Sequence, residues 1–342
     1  MKQVNWGIIG LGSAALQFAN SFNFVKNAKL LAIASKNPDK IKIYKKNYNI
    51  SENFCFNSYE DLINNQCIDI IYIAVPTALH FDSIVKCLKK KKRVLVEKPA
   101  TLNSTQALSI KNEYMEIDSF FTEAFMYLYH PKIKKVIELI KSGEVGDLIA
   151  MESFFGNDIL TKKNFFGYKK RKKLNIKNRL YNKEMGGGVI LDLGCYPISF
   201  STLIASLNSK INYDNIVIFN KQKEIGSTGV DLDSYVELKF ENNFTSKIGV
   251  SFTRNLGKQT KIIGTKGELV IHDTWTSENS EILIKKNNKA EIINIIGNQN
   301  IYSHEIETIS QCIIEEKKEV DYPGLTIDQT IGNMKIIDKW LS

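Results

Sequence analysis

Cysteine and histidine are too few and too scattered in this chain to build a metal centre. Its 342 residues include five cysteines (Cys55, Cys67, Cys87, Cys195 and Cys312) and four histidines. No C-x-x-C pair and no ligand-like spacing occurs among them. Unpaired thiols of this kind fit a reducing, cytoplasmic setting. Proline is scarce as well, at six residues, and no proline-rich linker, low-complexity tail or internal repeat divides the chain. No stretch approaches the ~18–20 uninterrupted apolar residues that cross a bilayer, so no membrane partner is expected. The first residues, Met1 to Gly7, run straight into a strand-like segment, without the apolar core and cleavage site of a signal peptide.

Acidic residues are in the minority, 37 against 46 Lys and Arg, which leaves a net charge of +9. Such an excess can mark a nucleic-acid surface or a site for an anionic ligand. Much of it is concentrated between Lys162 and Arg179, where nine basic residues stand with no acid. A cluster so confined reads as a solvated loop or as a contact for ligand phosphates. No nucleic-acid partner is expected.

What the chain does have is a change of rhythm. Domains of roughly 100–200 residues predict two of them here. In the first third, apolar strand-like runs (Val4 to Ile9, Leu30 to Ala34, Ile68 to Ala74, Arg93 to Val96, Ser119 to Glu123) alternate with helical segments. These are Ala14 to Val25, Pro38 to Asn47, Ala78 to Lys89 and Asn103 to Ile117. That alternation predicts a parallel sheet with right-handed crossovers. Beyond about residue 125, a helix near Pro131 to Ser142 is followed by segments of two-residue periodicity: Leu148 to Phe155, Ser234 to Phe240, Phe244 to Phe252, Thr260 to Gly264 and Glu268 to His272. Alternation of this sort predicts a half-buried antiparallel sheet. Helices are predicted at Gly187 to Ser206, Ser303 to Glu316 and Thr326 to Trp340. The expected fold class is α/β. A Rossmann domain spans 1–124, and a C-terminal α+β domain on a mostly antiparallel open sheet spans 125–342.

Gly10-Leu11-Gly12-Ser13-Ala14-Ala15 is a G-x-G-x-x-A loop between the first strand and the first helix. Gly10 permits the tight turn, Gly12 lets backbone approach a pyrophosphate, and Ala15 lets helix and strand pack closely. Ser13 opens a helix whose free N–H groups and dipole favour an anion. At the end of the second strand an NAD enzyme usually places an acid, to hold the ribose 2′-OH. Here Ser35 and Lys36 stand instead, with Lys40 a helical turn on. Those residues suit a 2′-phosphate, so the expected cofactor is NADP.

Two further stretches carry chemistry. Glu97-Lys98-Pro99 ends a buried strand, on the edge where open parallel sheets bind ligands. Gly186-Gly187-Gly188 leads into a helix, and Asp192 and Tyr196, four residues apart, are expected to share one face of it.

With the Gly10 loop, these stretches resemble the Gfo/Idh/MocA family of oxidoreductases, named for glucose–fructose oxidoreductase and inositol dehydrogenase. The resemblance extends over nearly the whole chain. It takes in Pro76-Thr77-Ala78-Leu79-His80, Glu123-Ala124-Phe125-Met126-Tyr127, Ile263-Gly264-Thr265-Lys266-Gly267 and His304-Glu305-Ile306. It implies that Lys98 is the family's catalytic lysine, that the Lys98–Pro99 peptide is a candidate for the cis form, and that Pro76, His80 and Glu97 border the cofactor. His80 has a helix-start role as its alternative reading, and Glu97 the role of orienting its neighbours. The inositol dehydrogenase branch has His where this chain has Tyr196. The branch with Tyr includes glucose–fructose oxidoreductase, dimeric dihydrodiol dehydrogenase, NADP-linked xylose dehydrogenase and some sugar-nucleotide ketoreductases.

The resemblance implies hydride transfer to or from a CH–OH or C=O carbon of an aldose, a diol or a keto sugar nucleotide. Tyr196 would exchange the proton, and Lys98 would favour its tyrosinate and polarise the substrate oxygen. Asp192 would orient a substrate hydroxyl or Lys98, or else merely cap the glycine turn. Arg179 would face substrate. A homodimer or homotetramer through the open sheet is implied too. The chain departs from its relatives at Leu128, where many have Arg, and at Thr77-Ala78, where an Asn-containing turn is usual. The alternative function is a non-catalytic dinucleotide-binding regulator on the same fold.

Overall fold

The computed structural model describes residues 2–116, 118–163, 169–297 and 300–342. Compactness divides the chain into two units, Met1–His130 with Asn298–Ile331, and Pro131–Gly297 with Gly332–Ser342.

The first unit is built on β1 (Val4–Ile9), α1 (Ser13–Ser21), β2 (Ala28–Ala34), α2 (Pro38–Tyr48), β3 (Cys55–Phe56), α3 (Tyr59–Asn64), β4 (Ile70–Ile73), α4 (His80–Lys89), β5 (Arg93–Glu97), α5 (Ser104–Ser109) and β6 (Phe121–Ala124). Its six strands lie in the order β3-β2-β1-β4-β5-β6, and every ladder is parallel. The elements follow from local chemistry. β4, Ile-Ile-Tyr-Ile, is buried along its whole length, as a strand covered on both faces must be. α4 buries His80, Ser83, Ile84, Cys87 and Leu88, the i, i+3, i+4, i+7, i+8 stripe of a helix lying on a sheet. α2 starts with Pro38 behind Asn37, whose Oδ1 accepts from the N–H groups of Asp39 and Lys40. The helix expected from Asn103 to Ile117 is α only to Ser109 and widens into a π-helical turn over Ile110–Tyr114. β3 and α3 carry too few residues to show a period, and the sequence pattern did not reveal them.

The second unit contains α6 (Pro131–Lys141), β7 (Leu148–Gly156), the short pair β8 (Thr161–Lys163) and β9 (Lys169–Arg171), α7 (Cys195–Ala205), and then β10 (Val217–Ile225), β11 (Asp231–Lys239), β12 (Thr245–Ser251), β13 (Thr260–Gly264), β14 (Glu268–Ile271), β15 (Asn279–Lys286) and β16 (Lys289–Ile296). Eight strands form one sheet in the order β10-β11-β12-β7-β13-β14-β15-β16, antiparallel except where β12 meets β7. Alternation sorts the faces. Leu232, Ser234, Val236 and Leu238 of β11 are buried, while Glu237 shares its face with Lys247 and Glu152 of the neighbouring strands. That second face carries ion pairs, Lys261 and Lys285 both on Glu268 among them. α7 is buried at every position. The stretch Lys183–Ala205 has the length and hydropathy of a membrane span, yet 89% of its apolar window is buried inside the protein, as a core helix would be.

α8 (Ile301–Ile314) and α9 (Ile327–Leu341) close the chain. α8 packs with the first unit, not with the C-terminal domain that a boundary at 124/125 assigns it to. The reason is its apolar face: Ile306, Ile309 and Ile313 are buried, and Trp6 Nε1 donates to Ser310 Oγ at 2.9 Å. Residues 125–130 stay with the first unit as well.

Candidate active site

The Gly10 loop is shaped for close approach. Gly10 has φ +86°, and a Cβ there would lie 2.7 Å from the Ala74 carbonyl oxygen. No L side chain fits that conformation and that contact together. Around Gly12 the space is open. Gly12 precedes α1, whose first turn has no side-chain cap, so its free N–H groups are available to an anion. Ser13 is exposed and Ala15 fully buried against the strand. Tyr44 of α2 donates to Gly12 O at 3.2 Å and steadies the loop. An open glycine, an uncapped helix start and a small buried residue at the third position fit a dinucleotide pyrophosphate.

At the end of β2, Ser35 is buried and its Oγ accepts from Asn37 N at 3.1 Å, while Lys36 and Lys40 are exposed. Ser35 therefore shapes this turn, and its hydroxyl proton remains to donate.

Lys98 sits half-buried where β5 ends, followed by a cis peptide to Pro99. Three consecutive residues here have a backbone group held by an ionisable side chain. Lys98 N donates to Glu97 Oε2 at 3.2 Å. Pro99 O lies 2.9 Å from His80 Nδ1. Ala100 N donates to Glu123 Oε1 at 2.9 Å. Each holder is anchored in turn. Tyr72 OH of β4 donates to Glu97 Oε1, His80 Nε2 lies 2.8 Å from Val75 O, and Thr330 Oγ1 donates to Glu123 Oε2 at 2.9 Å. Pro76, half-buried, begins the turn between β4 and α4. Gly10, Ser35, Pro76 and Lys98 all follow the carboxyl ends of parallel strands, so they lie along one edge of one sheet.

In the second unit the glycine run wraps the Arg179 turn against the start of the next helix. Gly187 N donates to Asn182 O and Gly188 N to Leu180 O. Gly188, at φ +113°, has no room for a Cβ, which would meet Asp231 Oδ1 at 2.4 Å. Asp231 needs that closeness, because its Oδ2 accepts from Ile190 N at 2.6 Å and caps the helix start. The capping role that sequence left open for Asp192 thus belongs to Asp231. Burial weakens the acidity of Asp231. The first turn, Ile190–Gly194, is π-helical, not α, so the four-residue spacing that stacks two side chains on a regular α-helix does not hold between Asp192 and Tyr196. Asp192 Oδ1 accepts from both Nη atoms of Arg179 at 3.2 Å. Tyr196 is buried, its ring edge-on to Phe155 at 5.4 Å and tilted against Trp275 at 5.9 Å. Nothing in the sequence pattern pointed to Phe155 and Trp275 as this wall. Of the sequence-derived residues, Lys98 and the cofactor-loop set belong to the first unit, and Arg179, Asp192 and Tyr196 to the second. Of the basic stretch, residues 164–168 lie outside the described residues. Arg171 pairs with Glu224 at 2.8 Å.

Two buried carboxyl groups of the first unit are strongly perturbed. Burial pushes Glu123 up to about 7, and the neighbouring Glu97 adds to it. Glu305, fully buried in α8 with neither carboxyl oxygen hydrogen-bonded among the described residues, is pushed well above the carboxylate range by burial and by Glu97. Both side chains hold a proton more tightly folded than unfolded. The stability they contribute is therefore complete below about 4.5, and the Glu123 share is lost as pH rises through about 7. That share is worth roughly 3 kcal/mol. Unfolding free energy is expected to fall between about pH 5 and 8. Glu305→Gln, which cannot ionise, should flatten the alkaline part of the curve. Urea titrations across that range check it, and an equally steep fall in the variant would refute the assignment. In the second unit burial lowers the Lys132 pKa to about 8, and its Nζ donates to Asp273 O at 2.8 Å.

A six-stranded parallel sheet in the order 3-2-1-4-5-6, with an uncapped glycine loop after its first strand, defines a dinucleotide-binding domain of the Rossmann kind. The chain belongs to the Gfo/Idh/MocA family. Residues 4–122 match its oxidoreductase domain with NAD-binding Rossmann fold, and residues 133–270 its C-terminal domain. A trans-1,2-dihydrobenzene-1,2-diol dehydrogenase of Xenopus tropicalis is 26% identical over 336 residues, covering 96% of this chain and 95% of that protein. A dTDP-3,4-didehydro-2,6-dideoxy-alpha-D-glucose 3-reductase of Saccharopolyspora spinosa is 25% identical, covering 80% and 76%. Among solved structures, an aldose-aldose oxidoreductase from Caulobacter crescentus complexed with glycerol superposes with a TM-score of 0.85 at 18% identity, covering 99% and 97%. A 3-ketoreductase from Actinomadura kijaniata in complex with NADP and TDP-benzene does so with a TM-score of 0.82 at 19% identity, covering 98% and 96%.

Proposed function

We propose that this protein is an NADP(H)-dependent oxidoreductase that moves a hydride to or from a CH–OH or C=O carbon of a carbohydrate. The observation that carries the reading is the Lys98 turn. A lysine is held at the carboxyl end of β5, on the sheet edge that also presents the Gly10 loop. The names of the relatives support the substrate class, since they act on a diol and on a keto sugar nucleotide. The NADP bound to the 3-ketoreductase supports the cofactor.

The bound nicotinamide supplies or accepts the hydride. The chain's own residues do the rest. Gly10, Gly12 and the first turn of α1 hold the diphosphate, with Pro76 and Glu97 on the same edge. Ser35, Lys36 and Lys40 receive the 2′-phosphate. Lys98 polarises the substrate oxygen, and Tyr196 gives or takes the hydroxyl proton. An ordinary phenol titrates near ~10, so it needs a nearby cation to act as a base at neutral pH. Arg179 and Asp192, already paired, orient substrate hydroxyls.

Following NADPH fluorescence with a panel of aldoses, diols and keto sugar nucleotides tests the reaction. Tight NADPH binding with no turnover on any of them would leave the proposal without support. Cofactor choice has its own test. Lys36→Ala should weaken NADPH about tenfold, the loss of one exposed charge-assisted contact, and leave NADH unchanged. Wild-type protein that bound NADH as tightly as NADPH would count against the 2′-phosphate site.

A further inference from the structure

The middle link of the Lys98 clamp has an unusual hydrogen-bond arithmetic. His80 is 1% exposed, and its two ring nitrogens lie 2.9 Å from Pro99 O and 2.8 Å from Val75 O. A carbonyl oxygen only accepts. A neutral imidazole has one N–H to donate and one bare nitrogen that must accept. One of the two contacts would then set a lone pair against a lone pair, at hydrogen-bond distance and away from water. Both contacts are favourable only when both nitrogens carry protons. We infer that His80 is an imidazolium in the folded protein and that it positions Lys98 by donating to Pro99 O and Val75 O at once. The positioning half rests on the reading of Lys98 as the catalytic lysine.

The surroundings must tolerate the charge. His80 opens α4, and a helix N-terminus disfavours a cation. That influence acts on the charge as a whole, whereas two short charge-assisted hydrogen bonds act on each N–H and are the stronger term. The elements packed on α4 carry both signs: Glu60 and Asp61 on α3, Tyr72 on β4, Arg93 and Glu97 on β5, and Lys111, Glu113 and Tyr114 in the π-helical turn, with Asp82, Lys86 and Lys89 on α4 itself. Beyond β5 lie Lys98 and, on β6, Glu123. No single sign dominates the neighbourhood.

The geometry also gives the clamp a purpose. Val75 O belongs to the turn after β4 and Pro99 O to the turn after β5. Pro99 has no N–H to tie its own peptide down, so its carbonyl is the handle available at that residue. One protonated ring fastens the two turns together and fixes the point from which the Lys98 side chain departs. A neutral side chain with donors on a single atom cannot span both carbonyls.

Two measurements on the full-length protein decide the matter. With ring-15N histidine there are only four residues to resolve, and His80 is assigned by its absence in His80→Gln or by removing the other three in turn. At about pH 7, where an ordinary histidine is mostly neutral, both ring nitrogens of His80 are expected to be protonated. A neutral tautomer would overturn the inference. In turnover assays, His80→Gln should lower kcat about tenfold to a hundredfold, the scale of an ångström's misplacement of a reacting group. KM and the NADPH dissociation constant should stay within about threefold of wild type. An unchanged kcat would remove the positioning role, and so would a loss that tracks only a lower melting temperature. A wild-type protein inert toward every substrate would sink the oxidoreductase reading and the positioning role with it, while the nitrogen spectra still judge the charge on His80.

Discussion

Lys98→Met is expected to lower kcat by about 10²–10³, the usual cost of removing one preorganised charge from a reacting oxygen, while NADPH still binds. The substitution keeps the length of the side chain and removes only the ammonium. The clamp on the turn uses the Lys98 backbone N–H, the Pro99 carbonyl and the Ala100 N–H, none of which the change touches. The Lys98 charge also lowers the pKa of Glu123, so the variant should shift the Glu123 ionisation further upward. Initial rates paired with fluorescence titration of NADPH check the main effect. Turnover within a few-fold of wild type would show that the ammonium takes no part in the reaction.

Tyr196→Phe is expected to cost about 10²–10⁴ in kcat, the range for a lost general acid or base. Fold stability should change by no more than about 1 kcal/mol, the worth of one hydrogen bond. The ring keeps its place because Phe155 and Trp275 hold it by its edges and faces, and phenylalanine offers the same surface. This separation of rate from stability is the useful readout. Thermal melting and steady-state kinetics on one preparation measure both. A variant that kept its rate would reduce Tyr196 to a packing residue of the α7 core. A variant that lost rate only in proportion to its stability would do the same.

The parallel sheet was legible because its evidence is local. Val4 to Ile9 and Ile68 to Ala74 are short apolar runs, and the helices between them show an apolar stripe within a dozen residues. The glycine loop was legible for the same reason, since its function is a matter of backbone freedom over six residues. Three of the strands that sequence pattern missed lack such signals, although β15, missed too, does alternate, with Ser280, Ile282 and Ile284 buried. β10 is an edge strand whose burial pattern is almost wholly exposed, and β16 is exposed at most positions. Neither needs the alternation that marks a half-buried strand. β3 is two residues long, below any period.

The candidate site divides along the same line. Lys98 and Tyr196 stood out by their motifs, but what holds them did not. Ala100 meets Glu123 across 23 residues, and Glu123 meets Thr330 across 207. His80 carried two readings from sequence, cofactor lining and helix start. The structure bears out the helix start, since His80 opens α4, and adds what neither reading gave, a ring lying between two carbonyls. Asp231 took over a capping role for which Asp192 was the nearer candidate in the chain.

By itself, the order of residues determined the parallel β-α alternation of the first unit and the glycine loop after its first strand, and it singled out Lys98 and Tyr196 as candidates. All of these are encoded in periods and spacings shorter than one supersecondary unit. Tertiary structure alone decided that α8 returns to the first unit, that β7 pairs in parallel with β12, and that the Lys98 turn is held by Glu97, His80 and Glu123. Those outcomes depend on which apolar face finds a partner and which buried donor finds an acceptor. Chain neighbours do not report such a choice, because it is made between groups tens to hundreds of residues apart.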